Sequence, residues 1–119
     1  MVVDDSRTMR QQVGIVLTAA GFEIVEAEDG LDGLEKVRQT PDLSLILCDV
    51  NMPRMSGLEM LVHVKSDPRF ADLPFLMLTT EAQPAFITRA KQAGAKGWIV
   101  KPFKPDLLVG TVRKLVGAA

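Results

Sequence analysis

The chain has 119 residues, of which 47% are hydrophobic and 24% are charged, with a formal net charge of -1. This length suits one compact domain and is too short for two ordinary ones, so we expect residues 1–119 to form one domain. No apolar stretch approaches the roughly 18 residues of a membrane span, and the N-terminus reaches Asp4 and Asp5 at once instead of starting with a signal segment, so we expect a cytoplasmic protein. The single Cys48 and single His63 exclude an internal disulfide and a His/Cys zinc cluster.

The first part of the chain alternates between short apolar runs and helical patterns. Residues 1–3 begin a strand, and Ser6 is a suitable cap for a helix whose apolar residues recur at helical spacing. Gly21 follows the end of that helix. Residues 22–27 predict a second strand, and a second helix continues until Pro41 stops it.

The remainder of the chain repeats the alternation three times. Residues 43–48 form an almost entirely apolar third strand, and Ser56 with Glu59 predicts a capping box at the start of a third helix. Residues 75–78 and 97–100 predict the fourth and fifth strands, each followed by a further helix. The sequence therefore contains five βα units.

Five βα units with largely apolar strands predict a parallel sheet covered by helices on both faces. Right-handed crossovers leave few topologies, and the strand order 2-1-3-4-5 fits best. The predicted fold class is therefore α/β, a doubly wound five-stranded parallel sheet of the flavodoxin-like (βα)5 type. In this order the first and third strands are neighbours.

Polar residues stand at the points where four of the apolar runs end. They are Asp4, Asp5, Asp49, Thr79 and Lys101. Because ligand sites of open α/β sheets lie beyond the carboxyl ends of the strands, we expect these side chains to share one rim. Three carboxylates, a hydroxyl and an amine predict a site for metal and phosphate chemistry.

The expected charge repulsion argues for a divalent cation at this rim. Carboxylates separated by roughly 5 Å repel by about 3 kcal/mol per pair at an effective dielectric near 20. One lysine does not offset that repulsion, whereas Mg²⁺ prefers oxygen ligands and takes one or two carboxylates beside a phosphate oxygen. Asp49 is then a candidate nucleophile, because aspartyl phosphate is an established covalent intermediate.

Four motifs, VVDDS, DVNMPRMSG, LTTEA and KPF, occur in this order along the chain. With these motifs and their spacing the chain resembles the receiver domains of two-component response regulators, most closely single-domain regulators of the chemotaxis CheY type. The resemblance covers essentially all 119 residues. It implies a signalling switch that accepts a phosphoryl group from the phosphohistidine of a histidine kinase and acts through contacts with other proteins.

The resemblance also implies roles for individual residues. Asp49 corresponds to the phosphoacceptor, Asp4 and Asp5 to the acidic metal-binding pair, and the backbone carbonyl of Asn51 to a further Mg²⁺ ligand. Lys101 corresponds to the lysine beside the phosphate.

Further positions resemble those that carry or tune the signal in the family. Thr79 corresponds to the switch hydroxyl and Trp98 to the aromatic switch residue, and Pro102 would follow a cis peptide bond that directs Lys101 toward the phosphate. In the family, residues at the positions of Asn51, Thr80 and Glu81 tune the lifetime of the phosphoryl group. The catalytic candidates are Asp49, Thr79 and Lys101.

The basic residues are concentrated toward the carboxyl end of the chain. Residues 1–81 carry seven Lys/Arg against fourteen Asp/Glu, whereas residues 82–119 carry seven Lys/Arg against one acidic residue, Asp106. Solvated lysines near a sheet edge would explain this, as would an acidic protein partner that contacts the face with Trp98, Lys91, Lys96 and Lys104. No nucleic-acid-binding module accompanies the charge, so we expect no direct contact with nucleic acid and none with a membrane.

Other function classes remain as alternatives. A phosphohydrolase of the haloacid dehalogenase type also uses a strand-end aspartate and Mg²⁺, but it places an acid two residues later, where this chain has Asn51. A flavodoxin-like cofactor binder needs donors for phosphate after the first strand, where Asp4 and Asp5 would repel it. A receiver excised from a larger output protein is a third possibility, because the sequence ends just after the last helix.

Overall fold

The computed structural model describes residues 1–117. Strands and helices alternate in chain order: β1 Val2–Val3, α1 Arg7–Ala19, β2 Glu26–Ala27, α2 Gly30–Gln39, β3 Ile46–Cys48, α3 Gly57–Lys65, β4 Phe75–Thr79, α4 Pro84–Ala93, β5 Gly97–Val100 and α5 Pro105–Gly117. A short 3-10 helix, Pro68–Phe70, lies between α3 and β4 and was not predicted. Within residues 1–117, no helix is long and apolar enough to cross a membrane.

The five strands form one sheet in the order β2-β1-β3-β4-β5, and every neighbouring pair is parallel. The predicted α/β fold class and strand order are therefore confirmed. Each strand is followed by a helix, which returns the chain to the amino-terminal edge of the sheet. The carboxyl ends of all five strands consequently meet at the opposite edge.

Apolar side chains alternate between the two faces of the sheet. In β3 and β4, Ile46, Cys48, Phe75 and Met77 belong to one buried cluster, which also contains residues of α2, α3 and α4. The other face carries a second cluster with residues of α1 and α5: Val2, Val13, Leu17, Leu45, Leu47, Leu76, Leu78, Ile99, Leu108 and Val112. Since both faces of the sheet are buried, the sequences of the central strands are continuous apolar runs.

Two strands are shorter than the apolar runs predicted. The second strand was predicted over residues 22–27 and is Glu26–Ala27; the third was predicted over residues 43–48 and is Ile46–Cys48. The ladder explains part of this difference, because β2 pairs only with β1, and β1 spans Val2–Val3. The remaining apolar residues still pack against the core, with Leu45 buried and Val25 partly buried.

The predicted N-cap residues of α1 and α3 form side-chain hydrogen bonds at the start of these helices. The Ser6 hydroxyl accepts a hydrogen bond from the Met9 backbone N–H at 3.2 Å, at the start of α1. In α3 the Ser56 hydroxyl accepts from the Glu59 N–H, and the Glu59 carboxylate accepts from the Ser56 N–H, so the predicted capping box is confirmed. These caps satisfy N–H groups that the helices leave unpaired.

Asp29, which follows β2, joins the start of α2 to the loop after β3. The residue is 3% exposed, caps α2 through a 2.9 Å hydrogen bond from the Asp32 N–H, and accepts a second bond from Arg54 Nε at 2.6 Å. Burial alone would raise the pKa of Asp29, but the hydrogen bonds from Arg54 and from the Asp32 N–H outweigh it and lower the pKa.

We expect Asp29→Asn to be less stable than the wild type at pH 7, with a difference that shrinks in acid. Asparagine keeps the cap but lacks the charge. Because the folded pKa of Asp29 is lowered, its stabilisation is complete above the unfolded pKa of about 3.9 and is lost as the pH falls through the folded pKa. Melting temperatures of both proteins between pH 7 and pH 3 test this. A difference that stays constant in acid would show that the carboxylate charge is not its origin.

Candidate functional site

The strand register brings the predicted carboxylates together. Val3 of β1 pairs with Cys48 of β3, so the residues that follow, Asp4 and Asp49, leave the sheet side by side. Asp4 is buried, Asp49 is half-buried and Asp5 is exposed. One carboxylate oxygen from each of the three lies within 4.8 Å of the other two. The sheet topology thus collects the acidic residues that the sequence placed at separate strand ends.

Lys101 joins this cluster from the end of β5. Its ammonium nitrogen lies 2.7 Å from Asp4 Oδ2 and 3.2 Å from Asp49 Oδ2, although 97 and 52 residues separate the partners along the chain. The lysine side chain is only 8% exposed. The Lys101–Pro102 peptide bond is cis.

The electrostatics of the cluster favour added positive charge. Burial raises the pKa of Asp4 despite the opposing hydrogen bond from Lys101. Burial disfavours the Lys101 ammonium, but the hydrogen bond and charge of Asp4, followed by the charge of Asp49, outweigh it and raise the pKa of Lys101. Both Asp4 and Lys101 therefore hold their protons more tightly than usual, Asp4 mainly because it is buried and Lys101 because it faces the carboxylates of Asp4 and Asp49.

Backbone groups fix the orientation of the two inner carboxylates. Asp4 Oδ1 accepts a hydrogen bond from the Ser6 N–H at 2.9 Å, and Asp49 Oδ1 accepts one from the Val50 N–H at 2.7 Å. The other oxygen of each carboxylate faces Lys101. Asp4 and Asp49 are therefore preorganised, with one oxygen held and one directed into the cluster.

Thr79 and Trp98 meet at one residue of the loop after β4. Thr79 is fully buried, and its hydroxyl accepts a hydrogen bond from the Glu81 N–H at 3.2 Å. The indole N–H of Trp98 donates to the Glu81 carbonyl oxygen at 2.8 Å, and the ring is partly buried. The backbone of Glu81 therefore connects the threonine hydroxyl with the indole.

The other predicted residues are divided between this rim and the surface near α4 and β5. Asn51 is exposed in the loop after β3, and Thr80 is exposed directly after β4. Three predicted partner-facing lysines are exposed: Lys91, Lys96 and Lys104. The structure brings Asp4, Asp5, Asp49 and Lys101 into one cluster and connects Thr79 to Trp98 through the adjoining loop.

Two neighbours of the site were missed by the sequence analysis. A Cβ atom on Gly57 would overlap the Asp49 carbonyl oxygen, so this position has room only for glycine. Arg54 lies in the β3–α3 loop with a positive φ of 63° and pairs with Asp29. The motif DVNMPRMSG contains both residues, but neither contact follows from spacing along the chain.

The donor set of the cluster is suited to Mg²⁺. All three carboxylates offer hard oxygen ligands within 4.8 Å of one another, and the exposed Asp5 leaves one side of the cluster open to water. Mg²⁺ commonly binds one or two carboxylates and keeps several waters. Neither sulfur nor imidazole belongs to this ligand set: Cys48 is buried, with its Sγ 3.2 Å from the Asp49 carbonyl oxygen and 4.0 Å from Met60 Sδ, and His63 is exposed on α3.

Comparison with known proteins agrees with this arrangement. Residues 1–113 match the response regulator receiver domain. The chain belongs to the response regulator receiver family. The predicted resemblance is therefore confirmed. Related proteins also align with this chain over nearly its whole length.

The receiver is similar to chemotaxis proteins of the CheY type. It is 40% identical to chemotaxis protein CheY1 of Helicobacter pylori, over 98% of this chain and 95% of that protein. It is 36% identical to the chemotaxis protein CheY homolog of Campylobacter jejuni, over 98% and 91% of the two chains. The structure of Vibrio cholerae chemotaxis protein CheY4 has a TM-score of 0.90 and 40% identity, covering 96% of this receiver and 94% of that chain.

Proposed function

We propose that this receiver is a phosphorylation-activated switch, which takes a phosphoryl group from a histidine kinase onto Asp49 in the presence of Mg²⁺. The contact of Lys101 with both Asp4 and Asp49, beside Asp5, supports this function most directly. We propose further that residues 1–119 act as one receiver domain in the cytoplasm. Its catalysis is limited to its own phosphotransfer and autodephosphorylation.

Asp49 is the proposed nucleophile of the transfer. A carboxylate oxygen of Asp49 forms a bond to phosphorus as the bond between phosphorus and the donor imidazole nitrogen breaks, and that nitrogen keeps the electron pair. Lys101, held 3.2 Å from Asp49, stabilises negative charge on the phosphoryl oxygens. The residues that would hold Mg²⁺ are Asp4, Asp5, Asp49 and the Asn51 carbonyl, and bound Mg²⁺ would neutralise charge on the transferring group.

Thr79 is the proposed sensor of the phosphoryl group. Its buried hydroxyl already accepts a hydrogen bond from the Glu81 N–H, and the same hydroxyl has a proton to donate to a phosphoryl oxygen. A shift of this hydroxyl moves the Glu81 backbone, to which the Trp98 indole is bonded. The phosphoryl group then favours the active state through its differential contacts.

The signal is proposed to leave through the face formed by α4, β5 and α5. Trp98 lies on this face together with the exposed Lys91, Lys96 and Lys104. A target protein with an acidic segment complements this positive charge and contacts the indole of Trp98. In the same proposal, Asn51, Thr80 and Glu81, which lie in the loops after β3 and β4, set the lifetime of the phosphoryl group.

We expect Thr79→Ala to separate phosphate binding from the response of Trp98. Trp98 is the only tryptophan, so its emission reports on this one position. In the wild type, beryllofluoride with Mg²⁺, a mimic of the phosphoryl group, should change the emission. In Thr79→Ala the mimic should still bind while the emission change is lost, because the hydroxyl no longer connects Asp49 to the Glu81 backbone.

Thr18→Ala is a matched control, since Thr18 is exposed on α1 away from the loop after β4. This variant should retain the full emission change. Binding of the mimic is followed separately by ¹⁹F magnetic resonance. An equal emission change in wild type and Thr79→Ala would contradict the proposed route from the threonine to the indole.

A further inference from the structure

The β3–α3 loop is attached to the start of α2 by an ion pair. Arg54 Nε lies 2.6 Å from Asp29 Oδ2, and the Asp29 side chain is only 4% exposed. The other carboxylate oxygen of Asp29 accepts the Asp32 N–H that caps α2. Asp29 is thus held by its own helix and offers a fixed anchor to the loop.

Backbone contacts secure the same loop on both sides of Arg54. The Met55 carbonyl accepts a hydrogen bond from the Gly30 N–H at 3.3 Å, and a Cβ on Gly30 would lie 2.7 Å from the Met55 side chain. Nearer the cluster, the Gly57 N–H donates to the Val50 carbonyl at 2.8 Å. The loop segment that contains Asn51 is therefore held between the end of β3 and the start of α2.

Stability alone gives a poor explanation for an arginine at position 54. Its φ of 63° is the left-handed conformation that glycine adopts without strain. Its side chain is 54% exposed, so solvent partly screens its attraction to the buried Asp29 carboxylate and limits what the arginine adds to stability. A non-glycine residue in such a conformation points to a function for its side chain.

We infer that the Arg54–Asp29 pair is a positioning clamp, which holds the β3–α3 loop so that the Asn51 carbonyl can complete the cation site. The inference rests on the proposed function, because it requires a cation bound at Asp4, Asp5 and Asp49. Arg54 does not contact the cation; it acts through the loop. In metal centres, groups that orient a ligand commonly change affinity by about tenfold or more.

Simple charge effects predict the opposite sign from the clamp. Removal of a positive side chain near an acidic cluster should strengthen cation binding, and screening limits this effect at distances beyond about 10 Å. The clamp predicts weaker binding, because the freed loop must be ordered when the cation binds. The sign of the change therefore separates the two explanations.

The test compares Mg²⁺ affinity of the wild type and Arg54→Gly by titration calorimetry. Glycine fits the left-handed backbone, so the variant loses the ion pair without adding strain. We expect about tenfold weaker Mg²⁺ binding. Without Mg²⁺, the Gly57 amide should exchange its hydrogen faster in Arg54→Gly, since its bond to Val50 closes the same loop. Arg54→Lys, which keeps a cation for Asp29, should restore part of the affinity.

Arg69→Ala is the matched control. It removes the same charge from another exposed pair, Arg69–Asp67 at 2.7 Å, located before β4 at the opposite edge of the sheet. This control should bind Mg²⁺ as the wild type does. If Arg54→Gly bound Mg²⁺ as tightly as the wild type, or more tightly, the clamp would be refuted while the proposed function would stand. A wild type that binds no Mg²⁺ would instead refute the proposed function and the clamp with it.

Discussion

Asp49→Asn should abolish phosphorylation of the receiver by acetyl phosphate. The wild type is expected to gain the mass of one phosphoryl group, because an Asp49 oxygen displaces acetate from phosphorus with the Lys101 ammonium 3.2 Å away. The asparagine side chain keeps the shape of the carboxylate but lacks its negative nucleophile. Intact-mass spectrometry measures the phosphorylated fraction directly.

Two controls accompany this measurement. Asp106→Asn makes the same chemical change at an exposed residue in the first turn of α5, and this variant should be phosphorylated to the wild-type extent. A chelator should prevent modification of the wild type, since one lysine leaves the three-carboxylate cluster short of positive charge. Undiminished modification of Asp49→Asn would show that another residue accepts the phosphoryl group.

Gly57→Ala should destabilise the protein by about 3 kcal/mol, at the upper end of the range for overpacking. The added methyl group would overlap the Asp49 carbonyl oxygen, and a backbone atom cannot rotate away as a flexible side chain can. The end of β3 or the start of α3 must then move. Because Asp49 lies at that junction, the phosphorylated fraction should fall as well. Urea unfolding gives the free energy, and mass spectrometry gives the phosphorylated fraction.

Gly110→Ala provides a contrast with the same chemical change. Gly110 lies within α5, and a Cβ there meets nothing within 4 Å. Alanine is about 1 kcal/mol more favourable than glycine in a helix interior, so this variant should be more stable than the wild type. If Gly57→Ala were as stable as Gly110→Ala, the close approach of α3 to the Asp49 carbonyl would not constrain the site.

The sequence by itself determined the order of the elements and the types of residue at the strand ends. Alternating apolar runs and capped helices predicted five βα units, because strand and helix periods are local properties of the chain. The Ser56–Glu59 capping box was predictable for the same reason, since both hydrogen bonds join residues three positions apart. Asp4, Asp49 and Lys101 were likewise placed at one edge, because all strands are parallel.

Only the tertiary structure decided which of these side chains touch and how they are held. The pairs Lys101–Asp4 and Arg54–Asp29 join residues 97 and 25 positions apart, and their geometry depends on strand register and on the path of a loop. The overlap of a Gly57 side chain with the Asp49 carbonyl has the same origin. Such contacts follow from packing between elements, which local periodicity does not contain.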